Sequence, residues 1–145
     1  MSSTASPLPI PSCDEAQSLG FTIPELLLEL ERGVGVAACR AFLIRRGGQK
    51  VEIPRTDAAI EKNPDRAAIG WLRDQIGFGR LYVPLGPARH NTRLAWAVLT
   101  AWREGASTNQ TASRLGLSER TVTRLRARLR EGGHDLTPQT YGIER

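Results

Sequence analysis

The densest run of side chains able to do chemistry is Ser118-Glu119-Arg120-Thr121-Val122-Thr123-Arg124-Leu125-Arg126-Ala127-Arg128-Leu129-Arg130. Coiled into a helix, this run puts Val122, Leu125 and Leu129 on one apolar face. Glu119, Arg120, Thr121, Thr123, Arg124, Ala127 and Arg128 then lie off that stripe. A guanidinium forks onto guanine O6 and N7, and the methyl of Thr suits the methyl of thymine. Ser118, Arg120, Thr121, Thr123 and Arg124 are therefore the candidates for reading base edges. Thr108, Asn109 and Gln110 open the preceding helix and offer phosphates both side chains and free backbone N–H groups. Arg114, Arg126, Arg128 and Arg130 are expected on the DNA backbone.

Other chemistry is thinly represented. Cys13 and Cys39 stand 26 residues apart, with no CxxC spacing and only His90 and His134 as imidazoles. That pattern predicts neither zinc nor a disulfide framework, with Cys13 a tail thiol and Cys39 a small buried residue. Asp14, Glu15, Asp57, Glu61, Asp65 and Asp74 have no His or Cys placed nearby for acid–base work. Gly77-Phe78-Gly79 precedes a strand instead of opening a helix, which argues against a nucleotide loop. Trp71, Trp96 and Trp102 are spaced for packing between helices. No enzyme, no cofactor, no metal and no small-molecule substrate are expected.

The elements that must position the basic helix are legible around it. Asn91 is expected to cap a helix with Leu94, Ala95, Val98, Leu99 and Trp102 inward, ending near Gly105. Ser107 or Thr108 caps a short second helix carrying Ala112 and Leu115, stopped at Gly116; Ser118 caps the third, stopped at Gly132-Gly133. Gly116 follows Ala112 by four residues and precedes Val122 by six, the layout of a helix-turn-helix. Thr111 departs from it, since an aliphatic residue is more usual there.

Charge follows the same boundary. Residues 1–88 hold ten Lys/Arg against ten Asp/Glu, whereas residues 89–130 hold nine Arg against Glu104 and Glu119, a net of +7. A neutral part joined to a basic part implies an assembly module and a polyanion-binding module. The 145 residues leave room for one domain or two small ones. The longest apolar runs, such as Ala95 to Leu99, fall far short of a membrane span. Residues 1–21, with Ser, Thr and prolines but no basic region before an apolar core, read as a disordered arm and not a secretion signal. The tail 134–145 has no evident role.

Between arm and helix-turn-helix, residues 22–86 read as a dimerisation domain. Thr22 and Pro24 start a helix with Leu26, Leu27 and Leu30 on one face. Gly33 and Gly35 interrupt it, and Val36 to Arg46 forms a second helix stopped by Gly47-Gly48. Val51-Glu52-Ile53-Pro54 alternates as an edge strand. Thirty residues later a helix from Asn63-Pro64, with Ile69, Leu72 and Ile76, leads through Gly77 to Leu81-Tyr82-Val83-Pro84. Two short strands with free edges need partners, within the chain or from a second copy. Leu26, Leu27, Leu30, Val51, Ile53, Leu81, Tyr82 and Val83 are the expected dimer interface.

Ile23-Pro24-Glu25-Leu26-Leu27, Gly47-Gly48-Gln49 to Ile53-Pro54, Gly77 to Pro84 and Arg114 to Val122 together resemble the Mor transcription activators of Mu-like bacteriophages and prophages, and the related C activator. The resemblance covers roughly residues 23–130. It implies a mainly α fold with short β-strands, a homodimer built by the amino-terminal helices and strands, and a carboxy-terminal helix-turn-helix over 89–133 on double-stranded DNA. An inverted repeat near a promoter, host RNA polymerase as partner and a cytoplasmic, nucleoid-associated location follow from it. The segment 89–105 is longer and richer in Trp than that family leads one to expect. A protein-binding adaptor, or a repressor acting by promoter occlusion, would use the same residues.

Overall fold

The structure is a computed structural model that describes residues 8–132 of the chain. It is mainly helical, with one two-stranded antiparallel sheet. Its two units are Ile10–Arg89 and a second made of the described residues 90–132 together with 8–9.

In the amino-terminal unit, helix α1 (Cys13–Ser18) is started by a capping box, Ser12 accepting from Glu15 N–H while the Glu15 carboxylate accepts from Ser12 N–H. Helices α2 (Glu25–Val34) and α3 (Val36–Arg46) meet at Gly35, whose φ of +98° breaks the helix between them. Strand β1 (Lys50–Ile53), helix α4 (Asp57–Glu61), helix α5 (Arg66–Ile76) and strand β2 (Gly79–Tyr82) complete it. A single 3-10 turn, Gly86–Ala88, follows. Leu27 and Leu30 from α2, Phe42 and Leu43 from α3, Val51 and Ile53 from β1, and Ile69 and Leu72 from α5 fill one core, closed by Val83.

The strands pair with each other within the chain. Val51 stands opposite Leu81 and Ile53 opposite Gly79, with Gly48 N–H on Val83 O and Val83 N–H on Gln49 O extending the ladder. Beneath α3 the Asp65 carboxylate, 2% exposed, pairs with the guanidinium groups of Arg45 and Arg46. Gly33 lies where α5 crosses α2: a Cβ there would fall 2.1 Å from Trp71 Nε1, so a larger residue would force the indole to shift.

Four expectations differ from the structure. Residues 10–21 are not an arm, because Ile10, Pro11, Cys13 and Ala16 are buried and α1 packs on α2. Leu8 O accepts from Arg93, and residues 1–7 lie outside the described residues, as does the tail 134–145. Cys13 is accordingly no tail thiol; it is fully buried. Finally, Leu27, Leu30, Val51, Ile53 and Val83 are consumed by the core of their own chain, so they are not free to face a second copy. Of the expected interface only Leu26, Leu81 and Tyr82 keep exposed surface, and Tyr82 alone is largely open. Ile76 also differs from its expected inward place, being half exposed.

Candidate nucleic-acid interface

The carboxy-terminal unit contains helices α6 (His90–Arg103), α7 (Thr108–Leu115) and α8 (Glu119–Glu131), each packed on the other two. Ala95, Val98 and Leu99 of α6, Ala112 of α7, and Val122 and Leu129 of α8 are buried. Ser107 begins α7 with a reciprocal cap: its hydroxyl accepts from Gln110 N–H at 3.0 Å and the Gln110 side chain accepts from Ser107 N–H at 2.8 Å. Such a box satisfies two of the donors that a helix start leaves free. Gly116 ends α7 in the left-handed region, φ +70° and ψ 32°, and Leu117 N–H returns to Ala112 O. Ser118 then caps α8 through Thr121 N–H.

The sequence-predicted site residues separate into three groups. Arg120, Thr123 and Arg124 are exposed on α8 with no hydrogen-bond partner among the described residues, and Arg128 is exposed one turn further on. Ser118 and Thr121, by contrast, face one another, their hydroxyls 2.9 Å apart at the cap. The side chains at the start of α7 are likewise engaged. Gln110 is held in its capping box, Asn109 Nδ2 donates to Glu119 Oε2 at 3.0 Å, and Thr108 Oγ1 accepts from Arg126. Arg114, itself exposed, pairs with Glu104 at 3.2 Å.

Arg126 departs furthest from expectation. Its guanidinium lies 4.1 Å from the centroid of the Trp102 ring and donates to Ala106 O at 2.8 Å and Thr108 Oγ1 at 3.0 Å, with Thr111 Oγ1 at 3.4 Å. Burial, and then the charge of Arg130, hold it below the usual guanidinium range. The side chain is a strut from α8 to the loop before α7, not a free phosphate contact. Thr111, fully buried, is polar because this strut reaches it. Arg130, itself exposed, lies 5.3 Å from the centroid of the same ring, so Trp102 packs against two arginines of α8.

The signal for Arg126 was present in the sequence. It follows Val122 by four residues and precedes Leu129 by three, which places its stem on the buried face whatever the charge at its tip.

Three packed helices, a left-handed glycine at the turn between the second and third, and an open row of arginines on the third define a helix-turn-helix domain. Residues 89–138 match the family model of the homeodomain-like domain, and that helix-turn-helix suggests DNA binding. No curated protein and no solved structure matches the chain. Among the described residues no helix is long and apolar enough to cross a membrane.

Proposed function

We propose that this protein is a sequence-specific DNA-binding transcription regulator of the Mor type, acting as a homodimer on an inverted repeat near a promoter. The observation that carries the reading is the open face of α8, where Arg120, Thr123 and Arg124 have no partner among the described residues and stand above a helix-turn-helix core. Arg120 and Arg124 are one helical turn apart, the spacing needed to address neighbouring base pairs from the major groove. Arg128, Arg130 and Arg114 flank that face and supply phosphate contacts. The unpaired N–H groups at the start of α7 add to them, while the side chains of Thr108, Asn109 and Gln110 position the helix. Ser118 and Thr121 set the entry angle of α8 and leave base readout to the three residues beyond the cap.

Dimerisation is supported by two further features of the amino-terminal unit. The two-stranded sheet has no third strand among the described residues, and short ribbons of this kind gain stability from a partner. Phe78, Tyr82, Ile76 and Ile44 expose large apolar surfaces. The Mor likeness adds recruitment of RNA polymerase to this reading. A helix-turn-helix of this class is typical of proteins that are not enzymes, in keeping with regulation and not catalysis.

Selection of bound sequences from random duplex DNA at about 150 mM salt tests the proposal, because that concentration suppresses much of the nonspecific electrostatic binding. Recovery of a palindrome with half-sites one helical turn or a multiple apart is expected. Recovery of nothing above background would overturn it in favour of a protein-binding adaptor.

A further inference from the structure

Cys13, Glu31 and Cys39 come from three different helices, α1, α2 and α3, yet their donor atoms all lie within 4.8 Å of one another. All three residues are buried; Glu31 is 7% exposed and the two cysteines 1% or less. Glu31 Oε1 accepts Cys13 N–H at 2.7 Å and Oε2 lies 3.4 Å from Asp14 N. Those bonds fix the carboxylate without exhausting it, because an ionised carboxylate offers about four lone-pair positions. Cys13 Sγ approaches Leu27 O at 3.6 Å, and both sulfurs are free thiols.

We propose that this cluster is a binding site for one thiophilic divalent cation, Zn2+, which clasps α1 onto α2 and α3. Thiolate donors favour Zn2+ over the hard cations Mg2+ and Ca2+. In a tetrahedral zinc site with Zn–S bonds of about 2.3 Å the sulfurs stand about 3.8 Å apart, about 1 Å less than the 4.8 Å within which these donors already lie. Two thiolates and Glu31 make three ligands, and a water or the second lone pair of Leu27 O takes the fourth position. Binding releases both thiol protons and involves no electron transfer: Zn2+, two thiols and one carboxylate give a zinc dithiolate carboxylate and two protons. The neighbouring structure gives such a clasp a purpose, since α1 has only six residues and is held otherwise by the burial of Cys13 and Ala16 and by the bonds of Glu31 to its first N–H groups.

The experiment is zinc content and cobalt substitution on the untagged full chain, purified under reducing conditions. About one zinc per chain is expected. Replacement by Co2+ should give thiolate-to-cobalt charge-transfer absorption in the near ultraviolet and the intense visible bands of tetrahedral cobalt. Cys39→Ser and Glu31→Gln should each weaken zinc binding about tenfold or more while the helical circular dichroism is retained. Wild-type chain purified without zinc, and taking up neither Zn2+ nor Co2+ when either is added alone, overturns the proposal whether or not the variants fold. So does zinc retained by a Cys13→Ser, Cys39→Ser double variant, or a Cys13–Cys39 disulfide formed in place of metal.

Discussion

Replacing Arg126 by Ala distinguishes a structural strut from a DNA contact, because the two roles predict opposite changes in stability and in salt dependence. The side chain makes two hydrogen bonds of 3.0 Å or less and stacks 4.1 Å from the centroid of Trp102. At about 1 kcal/mol for each hydrogen bond after exchange with water, and about 0.5–2 for the stacking, the loss comes to about 2.5–4 kcal/mol. Ala106 O and the buried Thr111 hydroxyl also lose a donor, which sets the expected value toward the upper end. Urea unfolding followed by circular dichroism should show the midpoint falling with the slope unchanged. Arg126→Lys should recover less than half of the loss, since an ammonium cannot lie flat on the indole while reaching both oxygens. Arg128→Ala is the control. It should leave stability within about 0.5 kcal/mol and make the slope of log K against log salt shallower by about 0.9. Should Arg126→Ala keep wild-type stability and flatten that slope instead, the guanidinium is a phosphate contact and the strut argument fails.

Three further outcomes follow from the same geometry. Arg120→Ala or Arg124→Ala should cost about 1–3 kcal/mol on the selected operator, measured by fluorescence anisotropy, with little change on random duplex; equal losses on both would remove these residues from base readout. Gly116→Ala forces a Cβ into φ +70° and should destabilise by about 1–2 kcal/mol, with Gly116→Asn milder; an Ala variant as stable as wild type would contradict the turn. Gly33→Ala places a Cβ 2.1 Å from Trp71 Nε1, so thermal unfolding should show a loss of about 1–3 kcal/mol. Relief of that loss by Trp71→Leu in a double-mutant cycle is the check, and additive losses would refute the contact.

Sequence patterning located the elements whose boundaries carry their own chemical markers. Val36–Arg46 is bounded by glycines on both sides and lies where the spacing places it. The turn at Gly116 and the caps at Ser107 and Ser118 are equally legible, because each is a local rule about φ or a free N–H. Helices α1 and α4 are not legible in the pattern, since six and five residues are too few to show a period. A marker for α1 was nevertheless there: Ser12 and Glu15 stand at capping-box spacing, inside a stretch whose prolines and serines suggested an arm.

What local rules cannot convey is which partner a side chain finds across the fold, as the strand residues and Arg126 show. Val51 and Ile53 alternate as a half-buried strand whether the covering layer comes from the same chain or another, and only the pairing of β1 with β2 and the packing of β1 on α5 decide it. Arg126 stands at buried-face spacing from Val122 and Leu129, but only the fold shows that its guanidinium meets Trp102, 24 residues earlier. Cys13 and Cys39 look unrelated at 26 residues apart until the docking of α1 brings both to Glu31. With Arg126 held inside the domain, the proposed nucleic-acid face consists of Arg120, Thr123 and Arg124 toward the bases, flanked by Arg114, Arg128 and Arg130 toward the phosphates. A groove-facing set this small makes each member's loss measurable alone, whereas a uniformly basic helix would spread the effect over every arginine.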